Sequence, residues 1–275
     1  MKLQYISDIH LEYYKLDDID KLIPKKEANI LILAGDIGYP EQIQYKTYID
    51  KVSKIWDQIF IVAGNHEYYQ TTKNIKTKEE IDMIIEFIVE DYANVYYLNN
   101  SKIELTFNKE EYVIIGSTLF SDIESTNYSI QINTNDFKYI YKKRENSKMN
   151  TYDYKKINMF DYKEYYEESK KFLEDTLNYY KNKNYNVIVV THHAPSFECI
   201  EDKYKSSKIN KAFYSNLDYL IKDIYCWIHG HTHSQREIKI NGVKVLNNSI
   251  GYNGEFNYPI TLERTYDKKT KIELV

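Results

Sequence analysis

The sequence predicts a layered α/β fold, and two patterns carry that expectation. Short aliphatic runs end abruptly in polar loops bearing Gly, Asp or His, and helical stripes lie between several of them. The first run, Leu3 to Ser7, reads as a buried strand passing into Asp8-Ile9-His10. Ile30 to Ala34 passes into Gly35-Asp36, and Ile59 to Ala63 into Gly64-Asn65-His66-Glu67. Residues 78–92 place Ile81, Ile84, Ile85, Ile88 and Tyr92 on one helical stripe, with Thr77 and Glu80 spaced as a capping box. Residues 162–181 repeat the theme, with Asp161 and Glu164 at the start and Phe172, Leu173, Leu177 and Tyr180 inward. Val187 to Val190 then runs into Thr191-His192-His193, and Tyr225 to Ile228 into His229-Gly230-His231-Thr232-His233. Finally Glu237 to Ile240, an Asn241-Gly242 turn and Val243 to Leu246 read as a hairpin, so the sheet content is mixed.

Composition narrows the function classes. The chain has 275 residues and is 43% hydrophobic, enough to bury a sizeable core even with 30 tyrosines counted among the apolar residues. Its apolar runs are strand-length, far short of the roughly 20 residues a membrane span needs. Lys2 and Gln4 flank the first strand where a signal peptide would be apolar, and Cys199 and Cys226 make no disulfide framework. A cytoplasmic location and no membrane partner are therefore expected. A net charge of −4 argues against a polyanion as the main partner, because phosphate neutralisation dominates that affinity.

All seven histidines, His10, His66, His192, His193, His229, His231 and His233, fall in the loops that follow predicted strands. In layered α/β folds the strand C-termini converge on one crevice, so these loops are expected to meet there. Asp, Asn and His offer hard oxygen and imidazole nitrogen without thiolate, which suits Mn, Fe or Zn in a reactive site. The donors exceed what one ion uses, and two ions sharing a carboxylate accommodate the excess. In Asp8-Ile9-His10 and His231-Thr232-His233 the donors are two apart, so extended backbone would point both members of each pair to one side.

Asp8-Ile9-His10, Gly35-Asp36, Gly64-Asn65-His66-Glu67, Thr191-His192-His193 and Gly230-His231-Thr232-His233 together resemble the five ordered motifs of the calcineurin-like metallophosphoesterase superfamily. The resemblance covers positions 8 to 233 and implies a four-layered α/β/β/α sandwich. Two mixed β-sheets would carry a dinuclear metal site at their strand C-terminal ends. It implies that residues 1–275 form a single calcineurin-like phosphoesterase domain, with 121–160 as a cap or insertion over the site. One ion would be held by Asp8, His10, Asp36 and His233, the other by Asp36, Asn65, His192 and His231. The implied reaction is hydrolysis of a phosphomonoester or phosphodiester by a metal-bridging hydroxide. His66 would be the general acid, and Asn65 would also touch the phosphoryl group. Glu67, His193 and His229 would support the ligands through hydrogen bonds or packing.

The chain departs from the protein Ser/Thr phosphatases of that superfamily. Their second motif continues to an Asp-Arg pair that orients the acid histidine, whereas here Tyr39 and Pro40 follow Gly38. The partner of His66 is then to be sought at Glu67 or in the cap. The expected substrate is a small phosphoester or nucleotide. Two divalent ions are expected as cofactors, manganese first, with iron or zinc as alternatives. A competing reading is a nuclease acting on single-stranded or terminal nucleic acid, resting on Lys142-Lys143-Arg144 beside Tyr139 and Tyr141. A non-catalytic metal-binding scaffold is the third. Tyr68, Tyr69 and Phe120 are the aromatics expected to reach the site. Oligomeric state is not legible.

Overall fold

The computed structural model describes residues 1–124, 127–146, 149, 151–252, 254–255 and 262–267. The parts of the expected cap at 125–126, 147–148 and 150 lie outside the described residues. Four parallel strands, β1 (Leu3–Ile6), β2 (Ile30–Ala34), β3 (Gln58–Val62) and β4 (Val95–Tyr97), lie side by side in chain order, with Thr265–Tyr266 antiparallel on the outer edge of β1. The second sheet contains β5 (Ser101–Phe107), β6 (Glu110–Ser117), β9 (Tyr185–Thr191), β10 (Cys226–His229), β11 (Glu237–Ile240) and β12 (Val243–Asn247). Its strand order is β11-β12-β10-β9-β6-β5. The inner four are parallel and the two edge strands antiparallel, so the sheet is mixed, as the hairpin signal indicated. At its turn Asn241 and Gly242 take φ of 47° and 85°, the left-handed pair that a tight hairpin requires.

Alternation along the strands sorts the layers. Ile30 and Ile32 of β2 join Tyr5, Phe60 and Val62 in a cluster with Ile114, Ile188, Val190 and Ile228, which fills the space between the sheets. The intervening Leu31 and Leu33 belong to the other cluster, with Tyr45, Tyr48, Ile49 and Val52 of α1 (Ile43–Ser53) and Ile81 and Ile85 of α2 (Lys78–Val89). Val113, Ile115, Val187 and Val189 share that cluster with Leu173 and Tyr180 of the long helix spanning Met159–Tyr180. The order is helix, sheet, sheet, helix. Among the described residues no helix is long and apolar enough to cross a membrane.

Local signals fixed most of these elements. Thr77 accepts from the Glu80 amide, and the Glu80 carboxylate accepts from the Thr77 amide, closing the capping box that starts α2. The long helix begins three residues before the position predicted from Asp161 and Glu164. Asn158 is its N-cap, and Asp161 returns to the Asn158 amide as the third helical residue. The β5–β6 hairpin was not anticipated, because β5 alternates half-buried and exposed residues and carries no run of aliphatics. The described parts of 121–160 hold more secondary structure than their composition indicated. They form α3 (Tyr128–Asn133), α4 (Asp136–Tyr139) and a hairpin of β7 (Tyr141–Asn146) with β8 (Thr151–Lys156).

Candidate metal centre

The parallel strands of both sheets deliver their loops to one crevice. An isolated bridge between Ser7 and Ser249 joins the end of β1 to the segment after β12. Asp8, His10 and His233 bring donor atoms within 4.8 Å of one another, and so do Asp36, His192 and His231. His10 Nε2 is 4.0 Å from Asp36 Oδ2, and His192 Nε2 is 3.3 Å from that same oxygen, so Asp36 stands between the two groups. Asn65 Oδ1 lies 3.0 Å from His192 Nε2. All seven positions expected to ligate metal are thereby gathered in one place.

The backbone reaches this arrangement differently from the expectation. Asp8, His10, Asp36, His231 and His233 have φ of 53°, 54°, 53°, 65° and 42°. Extended backbone does not align the two-apart pairs; tight left-handed bends do. Each such bend costs a non-glycine residue of order 1 kcal/mol, and surrounding hydrogen bonds over-determine it. Asp8 Oδ1 and Oδ2 accept from the His231 amide at 3.0 and 3.1 Å, and the Asp8 amide donates to the Gly35 carbonyl at 2.9 Å. Gly64 is required by crowding: a Cβ there would overlap Asp36 Oδ1 and lie 2.6 Å from the Asp36 amide nitrogen.

The imidazoles are aimed by their outer nitrogens. His10 Nδ1 is 3.2 Å from Glu12 Oε1, His233 Nδ1 is 2.6 Å from Glu255 Oε2, and His192 Nδ1 is 2.9 Å from the Ala34 carbonyl. His231 Nε2 is 3.3 Å from the Ala212 carbonyl, which leaves its Nδ1 as the free nitrogen. Protons on these outer nitrogens turn lone pairs inward. His10 Nε2 and His233 Nε2 then face each other at 3.1 Å, and His192 Nε2 faces only oxygen acceptors. Acceptors meeting acceptors in a buried space need a cation, and the donor set fits divalent metal. Without an ion, the same side chains would hold protons. Burial opposes charge on His233, but Asp8 and Glu255 outweigh it and lift its pKa to about 10; Asp36 lifts that of His192 to about 9 against the same burial. Burial lowers His231 to about 3, keeping it neutral.

The supporting residues divide into expected and unexpected ones. Fully buried Glu67 accepts from the amides of Gly64 (2.6 Å), Ile37 (2.7 Å), Asp36 (2.9 Å) and Gly38 (3.4 Å), tying the loop after β3 to the loop after β2. None of its hydrogen bonds goes to the His66 ring. That ring is held instead by Glu12, whose Oε1 lies 2.9 Å from His66 Nδ1, so the partner sought at Glu67 or in the cap lies two residues after the first motif. His193 Nδ1 is 3.2 Å from the Thr118 carbonyl, and its ring packs against His231 with centroids 4.0 Å apart. His229 Nδ1 lies 2.8 Å from the Gly230 carbonyl, and His229 itself ends β10 instead of lying in the loop.

Glu12, Asp136, Tyr252 and Glu255 were not anticipated. Only Glu12 had a signal, since it continues the two-residue spacing of Asp8 and His10. Asp136 reaches in from the 121–160 segment: its Oδ1 accepts from Asn65 Nδ2 at 2.9 Å and from the Tyr69 hydroxyl at 2.6 Å. Asn65 Nδ2 also donates to the Tyr69 hydroxyl at 2.8 Å, so its amide is oriented with Oδ1 toward His192. The Tyr252 hydroxyl is 3.1 Å from His66 Nε2. Of the three aromatics expected at the site, Tyr69 lines the cavity, whereas Tyr68 and Phe120 are core residues with stacked rings. The basic run is neutralised: Lys143 pairs with Glu80 at 2.6 Å, Lys142 with Glu164 and Arg144 with Asp161. A cavity of about 470 Å³ opens above the donors.

Comparison with known proteins agrees with this geometry. The calcineurin-like phosphoesterase family model matches residues 1–235. An uncharacterised protein of Acanthamoeba polyphaga mimivirus is 33% identical over 272 residues, covering 93% of this chain and 92% of its own. Among solved structures, phosphopantetheinyl hydrolase from Mycobacterium tuberculosis superposes with a TM-score of 0.71 at 16% identity, over 98% of this chain and 96% of that one. A protein of Thermus thermophilus superposes with a TM-score of 0.51 at 12% identity, over 90% and 88% of the two chains. At these identities the solved structures speak to fold alone.

Proposed function

The chain belongs to the calcineurin-like phosphoesterase family, and on that premise we propose that it hydrolyses a small phosphomonoester or phosphodiester at a dinuclear centre. Metal-dependent phosphoester hydrolysis comes with the family; the number of ions, the roles of residues and the substrate size are our reading. One observation carries it: two donor groups meet at a shared Asp36 with every ligating imidazole turned inward by an outer partner. In this reading Asp8, His10, Asp36 and His233 hold one ion, and Asp36, Asn65, His192 and His231 the other. Such ions, when bound, lower the pKa of water and neutralise charge on phosphoryl oxygens, with manganese suiting the carboxylate and amide donors.

The chain's own groups do the rest. Asn65, with both amide hydrogens held by Asp136 and Tyr69, keeps its Oδ1 turned toward His192 as a donor to an ion, which leaves it no hydrogen for the phosphoryl group expected from the sequence. His66, tethered through Nδ1 to Glu12, offers Nε2 to the cavity. The Tyr252 hydroxyl beside Nε2 marks the position of a leaving oxygen that takes its proton. Against the nuclease reading stand the paired cations of Lys142, Lys143 and Arg144 and the net charge of −4.

The deciding experiment compares turnover of bis-p-nitrophenyl phosphate and p-nitrophenyl phosphate with and without added manganese, in wild type and Asp36→Asn. Manganese-stimulated hydrolysis that the variant loses is expected, and the ratio of the two rates assigns diester or monoester chemistry. A wild type inert toward both esters after full metal loading would favour the scaffold instead.

A further inference from the structure

We infer that the reacting phosphoryl group sits on an organic arm without further negative charge, and that this cavity selects against substrates bearing additional anionic groups; the inference rests on the hydrolase reading above. A volume of about 470 Å³ holds far more than a phosphoryl group and matches cavities that enclose whole small ligands, roughly 300–1,000 Å³. Its lining includes the apolar and aromatic side chains of Ile200, Tyr204, Ile209 and Phe213 and the side-chain amides of Asn133 and Asn135. That combination fits an arm with apolar length and a few hydrogen-bonding groups.

The charges around the cavity set the sign of the selection. Among the described residues no lysine or arginine lines it, whereas three carboxylates do besides the donor Asp36: Asp136, Glu201 and Glu255. An additional anion on the arm would meet Asp136, whose partners Asn65 and Tyr69 are neutral, and two carboxylates whose cationic partners are already committed to them. The lysines of the neighbouring segment are already engaged. Lys203 pairs with Glu201 at 2.9 Å, Lys205 with Asp202 at 3.0 Å, and Lys211 lies 5.0 Å over the Tyr214 ring. Lys208 is exposed and lines no part of the cavity. Asp136 is bound by Asn65 and Tyr69, Glu255 by His233 and Glu201 by Lys203. Among the described residues, what remains open at the wall is apolar surface and amide capacity.

The test uses paired compounds of which one member carries a carboxylate. Glycerol 2-phosphate and 2-phosphoglycerate share their connectivity at phosphorus. Phenylphosphonate and 4-carboxyphenylphosphonate are non-hydrolysable and report binding, by calorimetry, to the metal-loaded enzyme. The carboxylated member of each pair is expected to be at least about tenfold worse, in KM for the substrates and in Kd for the phosphonates. A single-stranded tetranucleotide should be poorer still, and Ile209→Lys should narrow each gap. Equal or better handling of the carboxylated compounds or the tetranucleotide by wild type would overturn the inference, as would failure of phenylphosphonate to bind. Failure of the hydrolase reading looks different: no ester is turned over, yet phenylphosphonate still binds in preference to its carboxylated partner.

Discussion

Replacing Glu12 by Gln separates positioning of His66 from metal binding. Glu12 is 3% exposed, and its Oε1 lies 2.9 Å from His66 Nδ1 and 3.2 Å from His10 Nδ1. Its other oxygen is buried without a hydrogen-bond partner among the described residues, so the new amide nitrogen can take that side and leave Oε1 in place. The substitution therefore removes charge while keeping shape. A hydrogen bond to a charged group contributes about 1.5–3 kcal/mol against about 1 for a neutral pair, so the imidazolium loses roughly 1–2 kcal/mol of support. At 1.36 kcal/mol per pKa unit, His66 becomes more acidic by about one unit. In the wild type, burial depresses its pKa, but Asp36 and Glu12 raise it above the ordinary value, so the acid form persists to higher pH. With alkyl phosphates, whose leaving oxygen needs a proton, kcat should fall about 10–100-fold and the alkaline limb of the pH profile should move to lower pH. With p-nitrophenyl esters, whose leaving group departs as an anion, the loss should stay within about threefold. Metal content, measured by elemental analysis, should be unchanged. Equal losses on both leaving groups, or no loss on either, would refute the assignment.

Metal uptake at pH 7 should release protons, since His192 and His233 carry raised pKa values of about 9 and 10 in the metal-free site and must be neutral to ligate. Calorimetry in buffers of different ionisation enthalpy would read this, and uptake with no proton release would contradict it. The same shifts stabilise the metal-free fold below the unfolded histidine pKa of about 6.5. That contribution should be lost as pH rises through 9 to 10, visible as a falling Tm. Glu67→Gln should destabilise by roughly 2–4 kcal/mol, because an amide NH2 would oppose backbone donors now bound to a carboxylate; an unchanged urea midpoint would remove Glu67 from that role. Tyr69→Phe should loosen the Asn65 amide, lowering kcat about tenfold and weakening occupancy of the ion at Asp36, Asn65, His192 and His231. Asp136→Asn should do the same if the clamp acts as a unit, and a double variant no worse than either single change would establish that coupling.

The sequence by itself determined the strand cores and the set of donor side chains that gather at the crevice. A strand that is buried on both faces must be aliphatic along its length, and a donor that serves an ion cannot be replaced by apolar residues; both demands are local and stay visible in order along the chain. Thus Ile30–Ala34 was legible to the residue, and Asp8, His10, Asp36, Asn65, His192, His231 and His233 could be named before their geometry was known. Glu12 was half-legible, since its spacing repeated that of the ligands but a surface glutamate would have looked the same. The tertiary structure alone decided the left-handed bends that aim the donors, the Asp136 clamp on Asn65, the Glu255 contact to His233 and the charge of the cavity wall. These depend on which residues meet across 71 positions of chain in one case and 22 in another. Hydrogen bonds and Coulomb forces act through space, and a lone acidic residue in an irregular segment records nothing of the partner that folding brings to it.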